Sequence, residues 1–203
     1  SLPKSNENIF ICNSKFKKYP IFKLTIKKFF KKNRIIYIKR KTNGQATTCN
    51  LATKFIKNNA QIFYSSCDYQ FKIDKNKCDQ LLTNCDVIVF VNKPTKNHIL
   101  DYRQYGWVKK GKFNSISKIQ CKNKVSNNLK NDLVIVGSFA FKNKNIFVKS
   151  FKEMIKYKHK VNNEYYMDTL VKYSKKLKYK VNYYVVQKFK SYGTPKDLQK
   201  DEK

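Results

Sequence analysis

Residues 34–65 read RIIYIKRKTNGQATTCNLATKFIKNNAQIFYS and carry the clearest structural pattern in the chain. The stretch begins with a β-branched and aromatic run over Arg34 to Lys39 and ends with another over Ala60 to Ser65, each of a length typical of a strand. Between them, residues 45–57 predict a helix whose inward positions are Ala46, Cys49, Ala52, Phe55 and Ile56. Strand, helix and strand in this order are the alternation expected of an α/β layer fold.

The same alternation continues on both sides of this unit. Further strands are predicted at Asn8 to Asn13, Asp86 to Val91, Asp132 to Phe141 and Tyr179 to Lys188, and further helices at residues 21–31, 75–83, 145–158 and 164–176. Asp74 is the expected N-cap of the helix at 75–83, and a final turn or helix starts at Pro195. Residues 103–121 predict a β-hairpin that turns at residues 109–112. Because the strands show little alternation, we expect an α/β fold with a mostly parallel sheet flanked by helices, plus this antiparallel hairpin excursion.

Length and composition fit one domain over residues 1–203. The chain has 41% hydrophobic residues, including 15 Phe and 14 Tyr, which excludes intrinsic disorder. No apolar run approaches the ~20 residues of a membrane span, and the first residues lack the features of a secretory signal. Six cysteines without a C-x-x-C or a metal-ligand spacing predict free thiols in the reducing cytoplasm.

The charge balance is extreme but consists almost wholly of lysine. The chain has 45 Lys plus Arg against 13 Asp plus Glu, a net charge of +32, and only 3 of the basic residues are Arg. Nucleic-acid binding proteins favour arginine for its bidentate pairing and stacking, so a nucleic-acid partner is not expected. The 22 Asn, together with abundant Ile, Phe and Tyr, share A/T-rich codons with Lys, and base composition therefore explains the excess.

The densest basic patches are residues 27–32 and 39–41. In the first, apolar residues recur at helical spacing, which predicts an amphipathic helix whose lysines face solvent; these residues are Ile21, Phe22, Ile26, Phe29 and Phe30. A polyanion-binding surface is the functional alternative, with an affinity that falls steeply with salt.

Two loops follow predicted strands at the edge where open parallel sheets bind ligands. The loop Thr42 to Ala46 opens a helix, so its backbone N–H groups could hold an anionic or polar ligand and Gly44 would permit a close approach. The loop Ser65 to Asp68 places a carboxylate at the same edge, where it could hold Mg²⁺ against phosphate. From spacing alone, a simple helix start and a surface turn explain both loops as well.

Six stretches of sequence are more informative than the spacing of the loops alone. They are NIFICNSKF (8–16), NGQATTCNLA (43–52), FYSSCDYQF (63–71), IVGSFAFK (135–142), VNNEYYMDTLV (161–171) and FKSYGTPKDL (189–198). In their order and spacing the chain resembles the sugar-phosphate nucleotidyltransferases, also called nucleotide-sugar pyrophosphorylases, over nearly all of its length. The resemblance implies a glycosyltransferase-A-like, Rossmann-like domain. It also implies an enzyme that joins a nucleoside triphosphate to a sugar 1-phosphate, releases pyrophosphate and uses Mg²⁺.

The resemblance also implies roles for single residues. Asp68 matches the Mg²⁺-holding aspartate, and Lys122 matches a catalytic lysine that lies against the sugar phosphate, although Cys121 replaces the glutamate before it. Gly44, Gln45 and Ala46 match the nucleotide-binding loop, Gly137 the glycine beside the sugar, and Glu164 the acid that accepts sugar hydroxyls. The implied reaction is an in-line attack on the α-phosphorus and needs no protein nucleophile.

Two features depart from the family pattern. The glycine-rich G-x-G-x-R signature should precede the first strand, and its absence before Ser1 suggests an N-terminally truncated sequence that does not catalyse as given. Ser191-Tyr192-Gly193-Thr194 stands where many members have an aspartate before T-G-T, so the second metal ligand is in doubt unless Asp168 replaces it.

Two other functions remain open at this point. The first is a non-catalytic, lysine-rich module on the same fold that binds a polyanion such as RNA or an acidic membrane surface. The second is a glycosyltransferase that consumes nucleotide sugars, but such enzymes usually carry a D-x-D motif, and Cys67-Asp68-Tyr69-Gln70 has a single Asp. The sequence selects neither the sugar nor the base, and it leaves the oligomeric state open.

Overall fold

A computed structural model describes residues 5–193. Its strands are β1 (Asn8–Asn13), β2 (Asn33–Ile38), β3 (Ile62–Ser65), β4 (Tyr69–Lys72), β5 (Val87–Asn92), β6 (Gly106–Lys110), β7 (Ile116–Cys121), β8 (Leu133–Phe141), β9 (Val181–Val185) and β10 (Gln187–Ser191). Its α-helices are α1 (Pro20–Phe29), α2 (Gln45–Asn50), α3 (Lys75–Asn84), α4 (Lys96–Leu100), α5 (Lys144–Lys156) and α6 (Met167–Lys176). The turn predicted from Pro195 lies outside the described residues.

The main sheet is mixed, and the prediction of a mostly parallel sheet is wrong. The strand order is β7-β6-β8-β5-β9, and β3 also pairs with β8. Only the pair β5–β9 is parallel in this sheet, whereas β8 runs antiparallel to β3, β5 and β6. The apolar runs indicate only that a strand is buried on both faces. An antiparallel strand that is covered on both faces has the same pattern, so the runs do not show the direction of a strand.

Two small sheets complete the architecture. Strands β1 and β2 form a parallel pair, and β4 pairs with β10 in antiparallel fashion. The strand predicted over residues 179–188 is therefore two strands. Strand β9 runs beside β5, and this pairing ends at Val186, whose N–H donates a hydrogen bond to Val91 O. Lys188 then has a left-handed φ of 49°, where β10 begins to pair with β4.

The core lies on both faces of the main sheet, as the apolar runs require. Alternate residues of β5 point to opposite sides: Val89 packs with Phe147 of α5 and Leu170 of α6, while Phe90 packs with Leu82 of α3. All five of the β5 residues from Val87 to Val91 are fully buried. The helices α5 and α6 cover one face, and α3 covers the other.

Local sequence signals set several element ends. The side chain of Asp74 accepts a hydrogen bond from the Lys77 N–H, which confirms the predicted N-cap of α3. The predicted hairpin is present as β6 and β7, closed by the Gly111 N–H on Ser115 O at 2.8 Å. The helix predicted at residues 45–57 ends early, at Asn50. The Thr53 hydroxyl donates a hydrogen bond to the Asn50 carbonyl, and a short 3₁₀ turn follows.

The prediction of free cysteines is confirmed, because all six lie within the described residues and none is in a disulfide. Among the residues described, no helix has the length and apolar character needed to cross a membrane.

Candidate active site

The loop before α2 is bonded to the segment before α6. The Tyr165 N–H donates to Asn43 O at 2.7 Å, and the Ala46 N–H donates to Tyr165 O at 2.9 Å. Gly44 lies between these two bonds with φ 113°, and a Cβ there would lie 2.5 Å from Tyr165 N and 2.9 Å from Glu164 Cβ. Only glycine fits this crossing. The fold therefore brings together Gly44 and Glu164, which are 120 residues apart in sequence (164 − 44).

The neighbours of Gly44 in this loop differ in their surroundings. Gln45 begins α2 directly after the glycine. Ala46 is fully buried in the main core, and its N–H is taken by Tyr165. In this structure Ala46 anchors the loop, and the surface that a nucleotide could approach consists of the residues before it.

Glu164 is the centre of a small charged group. Lys41 Nζ lies 2.7 Å from Glu164 Oε1, and the Tyr166 hydroxyl also hydrogen-bonds this carboxylate. The bond from Lys41, the bond from Tyr166 and the nearby charge of Lys122 lower the pKa of Glu164. Burial and the bond to Glu164 raise the pKa of Tyr166. An ionised Glu164 can accept hydrogen bonds but cannot donate them.

The pairing with Lys41 gives a testable pH dependence. A lowered carboxyl pKa contributes stability that is present above the ordinary pKa of Glu and is lost as the pH falls through the lowered value. Lys41 is 86% exposed, so the pair should contribute less than about 1 kcal/mol. We expect Lys41→Gln to lower the Tm slightly at pH 7, and this difference should disappear as the pH is lowered towards 3.

Thermal unfolding at several pH values measures this effect. Lys39→Gln is the matched control, since Lys39 is exposed and forms no ion pair among the described residues. It removes the same charge from a highly basic protein without touching Glu164. An equal Tm difference between the two variants at every pH would contradict the assigned ion pair.

Lys122 lies in the same group. Its N–H donates to Tyr105 O at 3.0 Å, and its Nζ lies 5.1 Å from the centre of the Tyr166 ring. Its φ of 51° is uncommon for a residue other than glycine and turns the chain sharply at the end of β7. The predicted residues Gly44, Lys122 and Glu164 thus share one cluster, which we call the Glu164 cluster.

Asp168 is buried behind this cluster. Its carboxyl hydrogen-bonds the Cys121 thiol, and burial raises the pKa of both groups. A side chain at Gly106 would overlap Asp168 Oδ2, so the glycine makes the room for this carboxyl. Nothing in these contacts supports Asp168 as the replacement for the second metal ligand, because it faces Gly106 and Cys121.

Asp68 lies in the bend between β3 and β4, next to the end of β10. Asp68 O accepts a 2.7 Å hydrogen bond from the Tyr192 N–H, and Ser191 pairs with Tyr69 across the β4–β10 ladder. A Cβ on Gly193 would lie 3.4 Å from Asp68 Oδ2. The segment in which the family often carries a second aspartate is therefore beside Asp68, and here it presents a serine.

Gly137 joins the same neighbourhood from β8. Its φ is 67°, its carbonyl accepts the Ser66 N–H at 3.1 Å, and a Cβ there would lie 2.9 Å from Ser66 Oγ. Asp68 Oδ1 and Ser66 Oγ are both buried, and neither has a hydrogen-bond partner among residues 5–193. We call Ser66, Asp68, Gly137 and the adjoining residues 191–193 the Asp68 cluster.

Strand β8 connects the surroundings of the two clusters. A Cβ at Gly106, which adjoins Asp168, would lie 2.9 Å from Ile135 Cδ1, and Gly137 follows two residues later, which is roughly 7 Å along a strand. In this part of β8 the register with β5 shifts between Val89 and Val91, so the strand bulges. Gly137 in turn packs against Ser66 of the Asp68 cluster.

The donor set fits a sparsely held magnesium ion. The described residues contain no group of three His, Cys, Asp or Glu side chains that could hold a metal. Mg²⁺ typically takes only one or two carboxylates and fills its remaining positions with water and substrate phosphates. A buried carboxylate oxygen without a partner, with the Ser66 hydroxyl close by on the same loop, meets that need.

Some members of the site could not be assigned from sequence. Lys41 lies within the basic patch 39–41, which offered three basic residues and no way to choose among them, and Tyr166 stands beside Glu164 in a stretch quoted for its acid. Their roles depend on contacts across the chain. The double serine before Cys67 was the one available signal for Ser66.

Comparison of the whole structure with solved structures gives consistent matches. The nucleoside-diphosphate-sugar pyrophosphorylase from Vibrio cholerae RC9 superposes with a TM-score of 0.75 at 16% identity, covering 96% of this chain and 80% of that one. This chain has the fold of the nucleotide-sugar pyrophosphorylases. No family model matches the sequence, and no curated protein matches it significantly.

Other nucleotidyltransferases superpose over a similar span. The inositol-1-phosphate CTP transferase from T. maritima gives a TM-score of 0.66 at 15% identity, covering 95% of this chain and 72% of that one. A putative glucose-1-phosphate thymidylyltransferase from Bacillus anthracis gives 0.62 at 15% identity, with 96% and 92% covered. These proteins differ in sugar and base, so the likeness concerns the fold that they share.

Proposed function

We propose that this chain is a nucleotidyltransferase domain that joins a nucleoside triphosphate to a sugar 1-phosphate and releases pyrophosphate. The observation that carries the proposal is the Glu164 cluster, in which the Gly44 loop, Lys122 and Glu164 lie together, with Asp68 on a separate loop that packs against Gly137 of β8. The shared fold supports it independently. The six free cysteines suit a protein of the reducing cytoplasm.

The residues divide the reaction between them. Asp68 would hold Mg²⁺, which supplies positive charge against the phosphate oxygens when it is bound. The Gly44 loop would present its backbone to the nucleotide, and ionised Glu164 would accept hydrogen bonds from the sugar hydroxyls. Gly137 would lie beside the sugar, and it lets β8 pack closely against the loop that carries Asp68, because any side chain there meets Ser66.

Lys122 would act on the phosphate that is transferred. Its ammonium lies near Glu164 and above Tyr166, where it would offset negative charge on the sugar phosphate and the α-phosphate. The sugar phosphate oxygen forms the new bond to the α-phosphorus, the bond between the α- and β-phosphates breaks, and the electron pair leaves with pyrophosphate. Positioning and charge are the protein's contribution, and no covalent intermediate is needed.

Ligand-dependent thermal stabilisation tests the proposal without assuming a particular sugar or base. A panel of nucleoside triphosphates and nucleotide sugars is added with Mg²⁺ or with EDTA. At 100 times its Kd, a ligand should stabilise the fold by about 2.7 kcal/mol, and the Tm should rise by roughly 5–10 °C. We expect at least one nucleotide sugar to do so in Mg²⁺ and to lose most of the effect in EDTA.

RNA binding provides the opposing outcome. If no nucleotide or nucleotide sugar raises the Tm, while filters retain RNA with an affinity that falls steeply between two salt concentrations, the chain is a polyanion-binding module and the proposal is wrong.

A further inference from the structure

Helix α1 has an apolar stripe on the side that faces away from the protein. Its inner side is anchored by Ile26, which is 6% exposed, by Phe22 on the ring of Phe16 at 4.9 Å, and by Phe30 on Phe10 of β1 at 4.9 Å. The opposite side carries residues at spacings of three and four, which places them in one line. We call this line the α1 outer face; it consists of Ile21, Leu24, Thr25 and Lys28.

The exposed apolar residues of the α1 outer face are unusual for an isolated surface. Ile21 is 69% exposed and Leu24 is 60% exposed, although the sequence pattern predicted an inward Ile21. The rim of the same segment adds three aromatic residues that are also exposed: Phe16, Tyr19 and Phe29. Elsewhere in the described residues, exposed large apolar side chains occur singly, as at Leu100 and Phe113. A cluster of this kind marks a contact surface.

The sequence that contains this face carries charge of one sign only. From residue 8 to residue 67 the sequence carries 14 Lys and Arg and no Asp or Glu, and eight of those lysines lie between Lys15 and Lys32. None of the ion pairs among residues 5–193 involves these eight lysines. Lys23 and Lys27 border the α1 outer face, and Lys28 lies on it.

The apolar stripe and the lysines together select among the possible negatively charged partners. A basic helix with aliphatic residues on one face and aromatic residues at its rim fits the boundary between lipid headgroups and acyl chains, where the stripe is buried and the lysines contact anionic headgroups. A nucleic acid would not bury Ile21 and Leu24, since neither side chain can stack on a base. Arginine, which nucleic-acid binding proteins favour, is also scarce.

We propose that the α1 outer face docks this protein onto the surface of a membrane that contains anionic lipid. The helix lies in the plane of the interface, inserts Ile21 and Leu24, and keeps Lys23, Lys27 and Lys28 at headgroup level. The proposal is independent of the proposed enzymatic function, because none of these residues belongs to the Glu164 or Asp68 cluster.

Flotation with lipid vesicles tests this docking. The full chain is mixed with vesicles of phosphatidylcholine alone or of phosphatidylcholine with phosphatidylserine, at low and at physiological salt. We expect binding to the phosphatidylserine vesicles only, with an affinity that falls as salt rises. The double variant Ile21→Ser/Leu24→Ser should weaken binding by roughly 10-fold, and Lys23→Gln/Lys27→Gln/Lys28→Gln by roughly 100-fold.

A matched control separates docking from the general charge of the protein. Leu100→Ser/Phe113→Ser removes two side chains that are 77% and 94% exposed and lie outside α1, so it should leave vesicle binding unchanged. Circular dichroism and the Tm should be unaffected in both double variants, since the altered side chains are exposed. Each variant therefore reports on binding by a folded protein.

Several results would overturn the proposal. One is the absence of binding to phosphatidylserine vesicles. Another is binding that Ile21→Ser/Leu24→Ser leaves intact, because nonspecific attraction of a cation to anionic lipid would then explain it. A third is RNA or an acidic protein that binds in an Ile21- and Leu24-dependent manner while the vesicles do not, which would assign the α1 outer face to that partner.

Discussion

Replacing Asp68 by Asn is expected to remove the Mg²⁺-dependent part of the thermal stabilisation by nucleotide, a loss of roughly 5–10 °C in Tm, while the fold persists. Asp68 is the acid of the Asp68 cluster, and its Oδ1 is buried without a hydrogen-bond partner. An amide keeps the size of the side chain but cannot supply a charged ligand. Because Asp68 Oδ1 is buried and has no hydrogen-bond partner among the described residues, replacing the charge by a neutral amide should leave the Tm the same or raise it.

Thermal unfolding with a nucleoside triphosphate or nucleotide sugar, in Mg²⁺ and in EDTA, measures this effect. In Asp68→Asn the Tm should be the same in Mg²⁺ and in EDTA. Asp79→Asn is the matched control, since Asp79 lies on the exposed side of α3 and should leave the Mg²⁺ dependence unchanged. Full Mg²⁺-dependent stabilisation of Asp68→Asn would remove Asp68 from the proposed site.

The substitution Gly44→Ala is expected to produce the largest loss of stability. A φ of 113° costs an L-residue roughly 1–3 kcal/mol, and the overlap of the new Cβ with Tyr165 N and Glu164 Cβ costs a similar amount. Because Tyr165 N and O are backbone atoms held by two hydrogen bonds, they cannot move aside without opening the loop. The Tm should fall by about 10 °C.

Thermal unfolding measures this loss, and nucleotide stabilisation at a temperature where the variant is folded measures the loop. Gly193→Ala is the control for stability. A Cβ there makes only ordinary contact, 3.4 Å from Asp68 Oδ2, so the Tm should not change. A Gly44→Ala protein with an unchanged Tm would show that the loop does not cross the Tyr165 segment as described.

Sequence patterns located most elements but not the way they pair. The runs at Asn8–Asn13 and Leu133–Phe141 are strands, and the hairpin and Asp74 cap are present, because each depends on neighbouring residues. Strand direction depends on connections across the chain, which a buried run such as β5 does not record. Short β4 escaped prediction because its only partner, β10, lies more than a hundred residues away.

The same distinction holds for the site. The family pattern singled out Gly44, Lys122 and Glu164, and the structure brings them together through hydrogen bonds, a ring contact and charge. The lysine that pairs with Glu164 could not be chosen from the run Lys39 to Lys41, since only the loop path selects Lys41. Likewise, the burial of Asp168 against Gly106 depends on the packing of α6 on the sheet, which no local pattern records.

The central place of β8 sets the order in which the chain can assemble during synthesis. Ile62 of β3 pairs with Phe141 of β8, which is 79 residues later (141 − 62), and β5 and β6 also pair with β8. At 5–20 residues per second, the ribosome needs roughly 4–16 s to make that interval. Once β5 has been made, its apolar edge stays exposed for the rest of that interval, so a chaperone that shields extended segments should raise the yield of folded protein.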